Sequence, residues 1–294
     1  MSKTYAVTGA ASGIGKAVAD LLRSSGHTVI GIDKKDADVI ADLSAREGRE
    51  HAITQVLRNA QNKLDGAVLA AGLGPIPGSE KQIAQVNFNG VVELAEAWRD
   101  AFAASGNAHV VAFSSNSATI IPAIPKIAVD AFFSARTDRV PRLFAPLGAR
   151  AAAMVYGSSK LAVARWVRQT AVKSEWAQRG IRLNALAPGG IMTPLIQAQL
   201  ESPNAKEVRT LPTPLGGFGS PNDIASFVQF LLSSHADFMT GSVLFIDGGT
   251  DAYFRANDWP KSTTLFGALT WFFKWRAWQK SNSKFNHRQH GQRR

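Results

Sequence analysis

Six short runs rich in apolar and β-branched residues, at 3–8, 28–32, 66–70, 109–114, 181–187 and 243–246, are separated by stretches of helix length. Strands that alternate with helices in this way pair side by side in parallel, each reached by a right-handed crossover that lays a helix on the sheet. The predicted class is therefore α/β, a single doubly wound parallel sheet covered on both faces. A chain of 294 residues, 45% of them hydrophobic, is long enough to bury such a layer.

In sheets of this Rossmann type, ligands bind beyond the carboxyl ends of the strands. The first run leads directly into Thr8-Gly9-Ala10-Ala11-Ser12-Gly13-Ile14-Gly15. An isolated glycine trio is ordinary turn chemistry. Between a strand and a helix, Gly9, Gly13 and Gly15 let the backbone approach a pyrophosphate while the helix start offers its free N–H groups to the charge. Asp33, closing the second run, is placed to accept hydrogen bonds from an adenosine ribose and to repel a 2′-phosphate, which favours NAD over NADP. Lys34 and Lys35 follow it, either as solvated turn charges or as cations that turn towards a phosphate.

Tyr156 and Lys160 stand four residues apart, on one face of any helix that contains them. A tyrosine ordinarily titrates near pH 10, so a neighbouring cation is the simplest way to favour its phenolate. The pair suggests proton-transfer chemistry. Tyr5 and Tyr253 have no lysine four residues on and are expected to fill core or edge positions. Upstream, Ser114 and Ser115 close an apolar run.

Taken in order, the glycine loop, Asn87, Ser115, Tyr156, Lys160 and Pro188-Gly189 resemble the short-chain dehydrogenase/reductase family over residues 3 to 254. The resemblance implies Ser115, Tyr156, Lys160 and Asn87 as the catalytic set. Ser115, the second of its pair, would polarise the substrate oxygen. Lys160 would hold the nicotinamide ribose, and Asn87 would anchor a water chain or simply kink its helix. It also implies cofactor contacts from Gly9, Ser12, Gly13, Ile14, Gly15, Asp33, Asp42, Leu43, Ala71, Gly72, Tyr156, Lys160, Pro188, Gly189, Ile191 and Thr193. The family's paired asparagines are replaced by Leu69-Ala70 ahead of Ala71-Gly72, which puts a supporting hydrogen-bond network in doubt.

Ser115 and Tyr156 are 41 residues apart, where most of the family has about a dozen. The insertion, 116–150, carries Pro122, Pro125, Pro141 and Pro146 around a helix-like 127–139 and is expected to form a small subdomain beside the catalytic helix. With Gly31-Ile32-Asp33 and Ile246-Asp247-Gly248-Gly249, it resembles the bacterial 3α-hydroxysteroid dehydrogenase/carbonyl reductase branch. A coniferyl- or aryl-alcohol dehydrogenase is the near rival, and a non-catalytic dinucleotide sensor is the alternative of another class. The expected substrate is a lipophilic secondary alcohol or ketone, and the expected assembly is a homodimer made through another surface, because the insert would block the family's common helix-paired interface. Residues 191–220 mix apolar side chains with prolines and glycines, as a substrate lid or as a surface helix packed on the body.

The formal charge of +11 is concentrated beyond residue 254, where nine lysines and arginines face the single acid Asp258, a net +8, leaving +3 on residues 1–254. A nucleic-acid function for the whole chain is thereby disfavoured. The extension 255–294 holds tryptophans among cations, a composition that suits packing on a partner subunit, contact with a membrane surface, or a structureless or nucleic-acid-binding tail. His287 and His290 lack companions for a metal, and none is expected. With no cysteine, disulfides, thiolate zinc sites and a cysteine nucleophile are excluded. The first residues enter a strand at once, so a cytoplasmic location is expected, with membrane-surface association as its variant.

Overall fold

The computed structural model describes residues 2–201, 205–259, 262 and 264–282. Seven strands, β1 (Thr4–Thr8), β2 (Thr28–Asp33), β3 (Val39–Ile40), β4 (Gly66–Leu69), β5 (Ala108–Phe113), β6 (Ile181–Pro188) and β7 (Val243–Ile246), form one sheet. Its order is β3-β2-β1-β4-β5-β6-β7, and every pair is parallel. The six expected strands lie within a residue of their predicted bounds. The two-residue β3 is too short to show a period.

Side chains alternate between the sheet's faces with period two. Ala6, Ile30 and Leu69 enter one hydrophobic core, and Tyr5, Val7 and Val68 enter the other. Because both faces are covered, β4 and β5 are buried along their whole length.

The helices are α1 (Gly13–Ser24), α2 (Arg46–Asn59), α3 (Glu80–Ala84), α4 (Gly90–Ala97), α5 (Arg99–Ser105), α6 (Ser117–Ile120), α7 (Lys126–Phe133), α8 (Arg139–Phe144) and α9 (Ala151–Thr170). They continue with α10 (Ser174–Ala177), α11 (Pro194–Leu200), α12 (Ala205–Arg209), α13 (Pro221–Leu231), α14 (Thr250–Arg255) and α15 (Leu265–Asn282). A π-helical turn at Gln85–Asn89 joins α3 to α4. The crossovers from β1 run towards β2 on one side, and the later strands extend from β4 on the other. The crevice between the carboxyl ends of β1 and β4 is thus the point where the winding reverses, the ordinary ligand site of such sheets.

The insertion does not form the single helix expected at 127–139. The chain breaks after Phe133, passes through Ala135 at φ 54°, and restarts as α8. Ala128, Val129 and Phe132 of α7 and Val140 and Phe144 of α8 are buried in the same core as Ala152 and Val155 of α9. Phe132 lies 4.9 Å from Phe88, centroid to centroid. The insert therefore shares the core of the body and closes none of its own. Each buried phenylalanine adds roughly 2 kcal/mol to that cover.

The chain divides into two compact units, 1–254 and 255–294. Within the second, α15 runs for 18 residues, about 27 Å. Among the described residues, no helix is long and apolar enough to cross a membrane. His287 and His290 lie outside the described residues.

Candidate active site

The loop from β1 to α1 is fixed before any ligand is considered. The C=O of Ile32 accepts the N–H groups of Gly9 and Ala10 at 2.8 and 3.3 Å. Asp33 accepts the N–H of Ala11 through Oδ2 at 3.0 Å and that of Lys34 through Oδ1 at 2.7 Å. Gly15 packs so closely on this turn that an added Cβ would lie 2.2 Å from the C=O of Gly9, so no other residue fits. The first-turn N–H groups of α1 have no partner within the helix, and the Ser12 hydroxyl makes no capping bond to them.

These groups open on a cavity of about 320 Å3 lined by Gly9, Ser12, Gly13, Ile14, Gly15, Asp33, Asp42, Leu43, Ala71, Gly72 and Thr193, among others. Size, free N–H groups and the carboxylate at the end of β2 fit a dinucleotide. Lys34 is drawn to Asp42 at 2.9 Å. Burial tends to raise the Asp42 carboxyl, but hydrogen bonds from Ser44 and Lys34 outweigh it and hold the group below its usual range. The missing asparagine pair is partly replaced, because Thr8 Oγ1 accepts the N–H of Ala71 at 3.0 Å.

A second cavity of about 220 Å3 adjoins the first through the shared lining residues Ile14, Ala70, Gly72, Leu73, Thr193 and Leu195. Ser115, Tyr156, Lys160, Pro188, Gly189 and Ile191 line it. Ser115 comes from the turn after β5, and Tyr156 and Lys160 from α9. Pro188 ends β6, and Gly189 follows it.

Tyr156 hydrogen-bonds Ser115, yet burial dominates and raises the phenol above its ordinary value. Lys160 Nζ lies 5.9 Å from the Tyr156 ring centroid and donates to the C=O of Phe113 at 2.9 Å. Burial pulls its ammonium down to about 8. The expectation that the lysine lowers the phenol is thus corrected for this state: desolvation outweighs any attraction between them. Of the other tyrosines, Tyr5 is a core residue and Tyr253 is exposed.

Ser114 is spoken for, since its hydroxyl donates to the C=O of Lys160 at 2.8 Å. Asn87 sits in the π-helical turn, fully buried. Its Oδ1 accepts the N–H of Leu73 at 2.8 Å, and its Nδ2 donates to the C=O of Leu73 at 3.0 Å. A Cβ added at Gly72 would lie 3.3 Å from Asn87 Oδ1 and 3.4 Å from Lys160 Nζ, so the asparagine stands next to the lysine across the cofactor-side wall.

Asn116 and Phe218 are among the lining residues that escaped sequence reading. Asn116 is buried, and its Nδ2 finds no hydrogen-bond partner among the described residues. Phe218 covers Gly190 so tightly that an added Cβ would lie 2.8 Å from ring carbon Cδ1. The second glycine in Pro188-Gly189-Gly190 was the available signal. The segment between them is pinned at its base, where Met192 N–H donates to Gly219 C=O at 2.8 Å and Gly219 N–H to Gly190 C=O at 3.0 Å. Gly190→Ala is expected to displace the Phe218 ring, raising KM for a bulky substrate about tenfold and for a small ketone less than about threefold. Paired steady-state measurements on the two substrates check it.

A family model described as NAD dependent epimerase/dehydratase family matches residues 5–189, and one described as Enoyl-(Acyl carrier protein) reductase matches residues 145–251. The 3-alpha-hydroxysteroid dehydrogenase/carbonyl reductase of Comamonas testosteroni is 35% identical over 250 residues, covering 85% of this chain and 96% of that one. The chain belongs to the short-chain dehydrogenase/reductase family. The family's oxidoreductases act on CH–OH groups, and this chain is one of them. The structure of the 3-alpha-hydroxysteroid dehydrogenase from Pseudomonas sp. B-0831, complexed with NADH, is similar with a TM-score of 0.80 at 38% identity, over 87% of this chain and 100% of that one. The galactitol 2-dehydrogenase of Cereibacter sphaeroides is 30% identical, covering 83% of this chain and 93% of that one.

Proposed function

We propose that this protein interconverts a secondary alcohol and a ketone with NAD(H), and that its substrate is a 3α-hydroxysteroid or another lipophilic carbonyl compound. The observation that carries the reading is the meeting of Ser115, Tyr156 and Lys160 in one cavity continuous with the glycine cradle. The Comamonas and Pseudomonas relatives support the steroid class and NADH. Asp33 beside the cradle and the engagement of Lys34 by Asp42 favour NAD over NADP. Leu195, Ile196, Val208, Leu211 and Phe218 give the second cavity an apolar lining, which suits a lipophilic body.

A bound nicotinamide supplies or accepts the hydride. In oxidation Tyr156, as phenolate, takes the hydroxyl proton of the alcohol while its carbon loses hydride, leaving the ketone. In reduction the phenol returns that proton to the carbonyl oxygen. Ser115 Oγ hydrogen-bonds the same oxygen and fixes it in line with the phenol. Lys160, which donates to the C=O of Phe113, would hold the ribose hydroxyls of a bound cofactor, and its charge beside Tyr156 would favour the phenolate. Asn87 secures the Leu73 segment and the helix turn beside the lysine. The segment 191–220 closes over the substrate as a lid.

The test is nicotinamide absorbance with purified protein, either cofactor, and a panel of 3α-hydroxysteroids, aryl alcohols and polyols. NAD-linked steroid turnover is expected. Turnover confined to aryl alcohols or polyols would displace the substrate reading, and tight NAD binding without turnover of any alcohol would favour a sensor. The packing of α7 and α8 on α9 supports an interface away from that helix, and a dimer made through another surface is the expected assembly. Analytical ultracentrifugation should give the mass of two chains, and a tetramer would count against it.

A further inference from the structure

The body's tryptophans are core residues: Trp98 and Trp176 are fully buried, and Trp166 is nearly so. Those of α15 differ. Trp271, Trp275 and Trp278 are 56%, 48% and 59% exposed. Their spacing of four and three residues puts them on one helix face. The rings of Trp271 and Trp275 stack at 5.4 Å. Leu269 and Phe273 are more exposed still, at 67% and 66%. Among these side chains stand the exposed cations Lys274 and Arg276, the guanidinium of Arg276 lying 5.0 Å over the Phe272 ring. No acid occurs between residues 259 and 294.

We propose that α15 seats on an anionic bilayer surface, its indoles in the headgroup layer and its cations against lipid phosphates. This docking function is independent of the redox reaction. Indole prefers the interface because its ring is apolar and its N–H needs a polar partner. Spanning is ruled out by the cations in the middle of the helix and by its composition. Charge selects among occupants. A second copy would bring another +8 extension against this one, whereas an anionic surface attracts it. On a single-stranded nucleic acid, bases would stack on open ring faces, and Trp271 and Trp275 each have one face taken by the other.

The test is flotation of the full-length chain with vesicles of phosphatidylcholine, alone or with about three parts in ten phosphatidylglycerol. Binding to the anionic vesicles is expected to exceed that to neutral ones by at least about tenfold and to fall in about 1 M salt. The triple variant Trp271→Ala/Trp275→Ala/Trp278→Ala and the double variant Lys274→Glu/Arg276→Glu should each lower it by about tenfold or more. The thermal unfolding of residues 1–254 within each variant should be unchanged, which separates lost docking from lost folding. Absent or variant-insensitive binding to anionic vesicles overturns the proposal. So does self-association that depends on the three tryptophans without vesicle binding, or tighter retention on single-stranded nucleic acid than on vesicles.

Discussion

Tyr156→Phe is expected to lower kcat for alcohol oxidation by about a thousandfold while leaving NAD affinity within about threefold. The substitution removes only the phenolic oxygen and keeps the ring that packs against the core. Ser115 loses one hydrogen-bond partner but keeps the N–H of Ser117, which it accepts at 3.1 Å. Binding and chemistry should therefore separate cleanly. Fluorescence titration with NAD and turnover of the panel substrates measure the two. Unchanged turnover would remove Tyr156 from the proton transfer, and a parallel loss of NAD affinity would make its role structural.

The same tyrosine sets a pH dependence. Burial raises the phenol, so the acid form needed for ketone reduction is intact at neutral pH. The phenolate needed for alcohol oxidation becomes more available as pH rises. Oxidation rates should climb through the alkaline range while reduction is flat near neutrality.

The fold was legible because each strand is a continuous apolar run, which is what a sheet buried on both faces requires. The cradle was legible because Gly9, Gly13 and Gly15 stand between a strand and a helix. Most of what the sequence hid lies in segments where local signals conflict. The insert read as one helix over 127–139, but its apolar run ends at Phe133, the exposed Ala135 takes a left-handed φ, and α7 and α8 then pack separately on the core that α9 shares, an arrangement no local pattern encodes. The contact of Phe218 with Gly190 joins residues 28 positions apart through a loop crossing, so only the unusual second glycine hinted at it. Charge chemistry was also misjudged. A lysine four residues from a tyrosine suggests mutual stabilisation, but the sequence does not show that both lie where desolvation is the larger effect.

That desolvation makes Lys160 costly, and Lys160→Met is expected to raise stability while ending turnover. Burial takes the ammonium from its ordinary 10.5 to about 8, which corresponds to roughly 3 kcal/mol against the folded state at neutral pH. The sign follows from proton counts. Between about pH 8 and 10.5 the unfolded chain binds the proton more tightly, so stability rises with pH across that window, and the full cost is present below it. Methionine fills nearly the same volume without a charge, although it forfeits the hydrogen bond to the C=O of Phe113, worth about 1 kcal/mol. The net gain at pH 7 should be about 2 kcal/mol, a rise of roughly 4–8 °C in Tm for a body of this size. It should shrink as pH approaches 10, and turnover should fall by more than about a hundredfold throughout. Thermal unfolding of both proteins at pH 7 and pH 10 measures it. A Tm that falls at pH 7 would mean that the buried ammonium supports the fold, and that its place beside Tyr156 owes nothing to a trade of stability for chemistry.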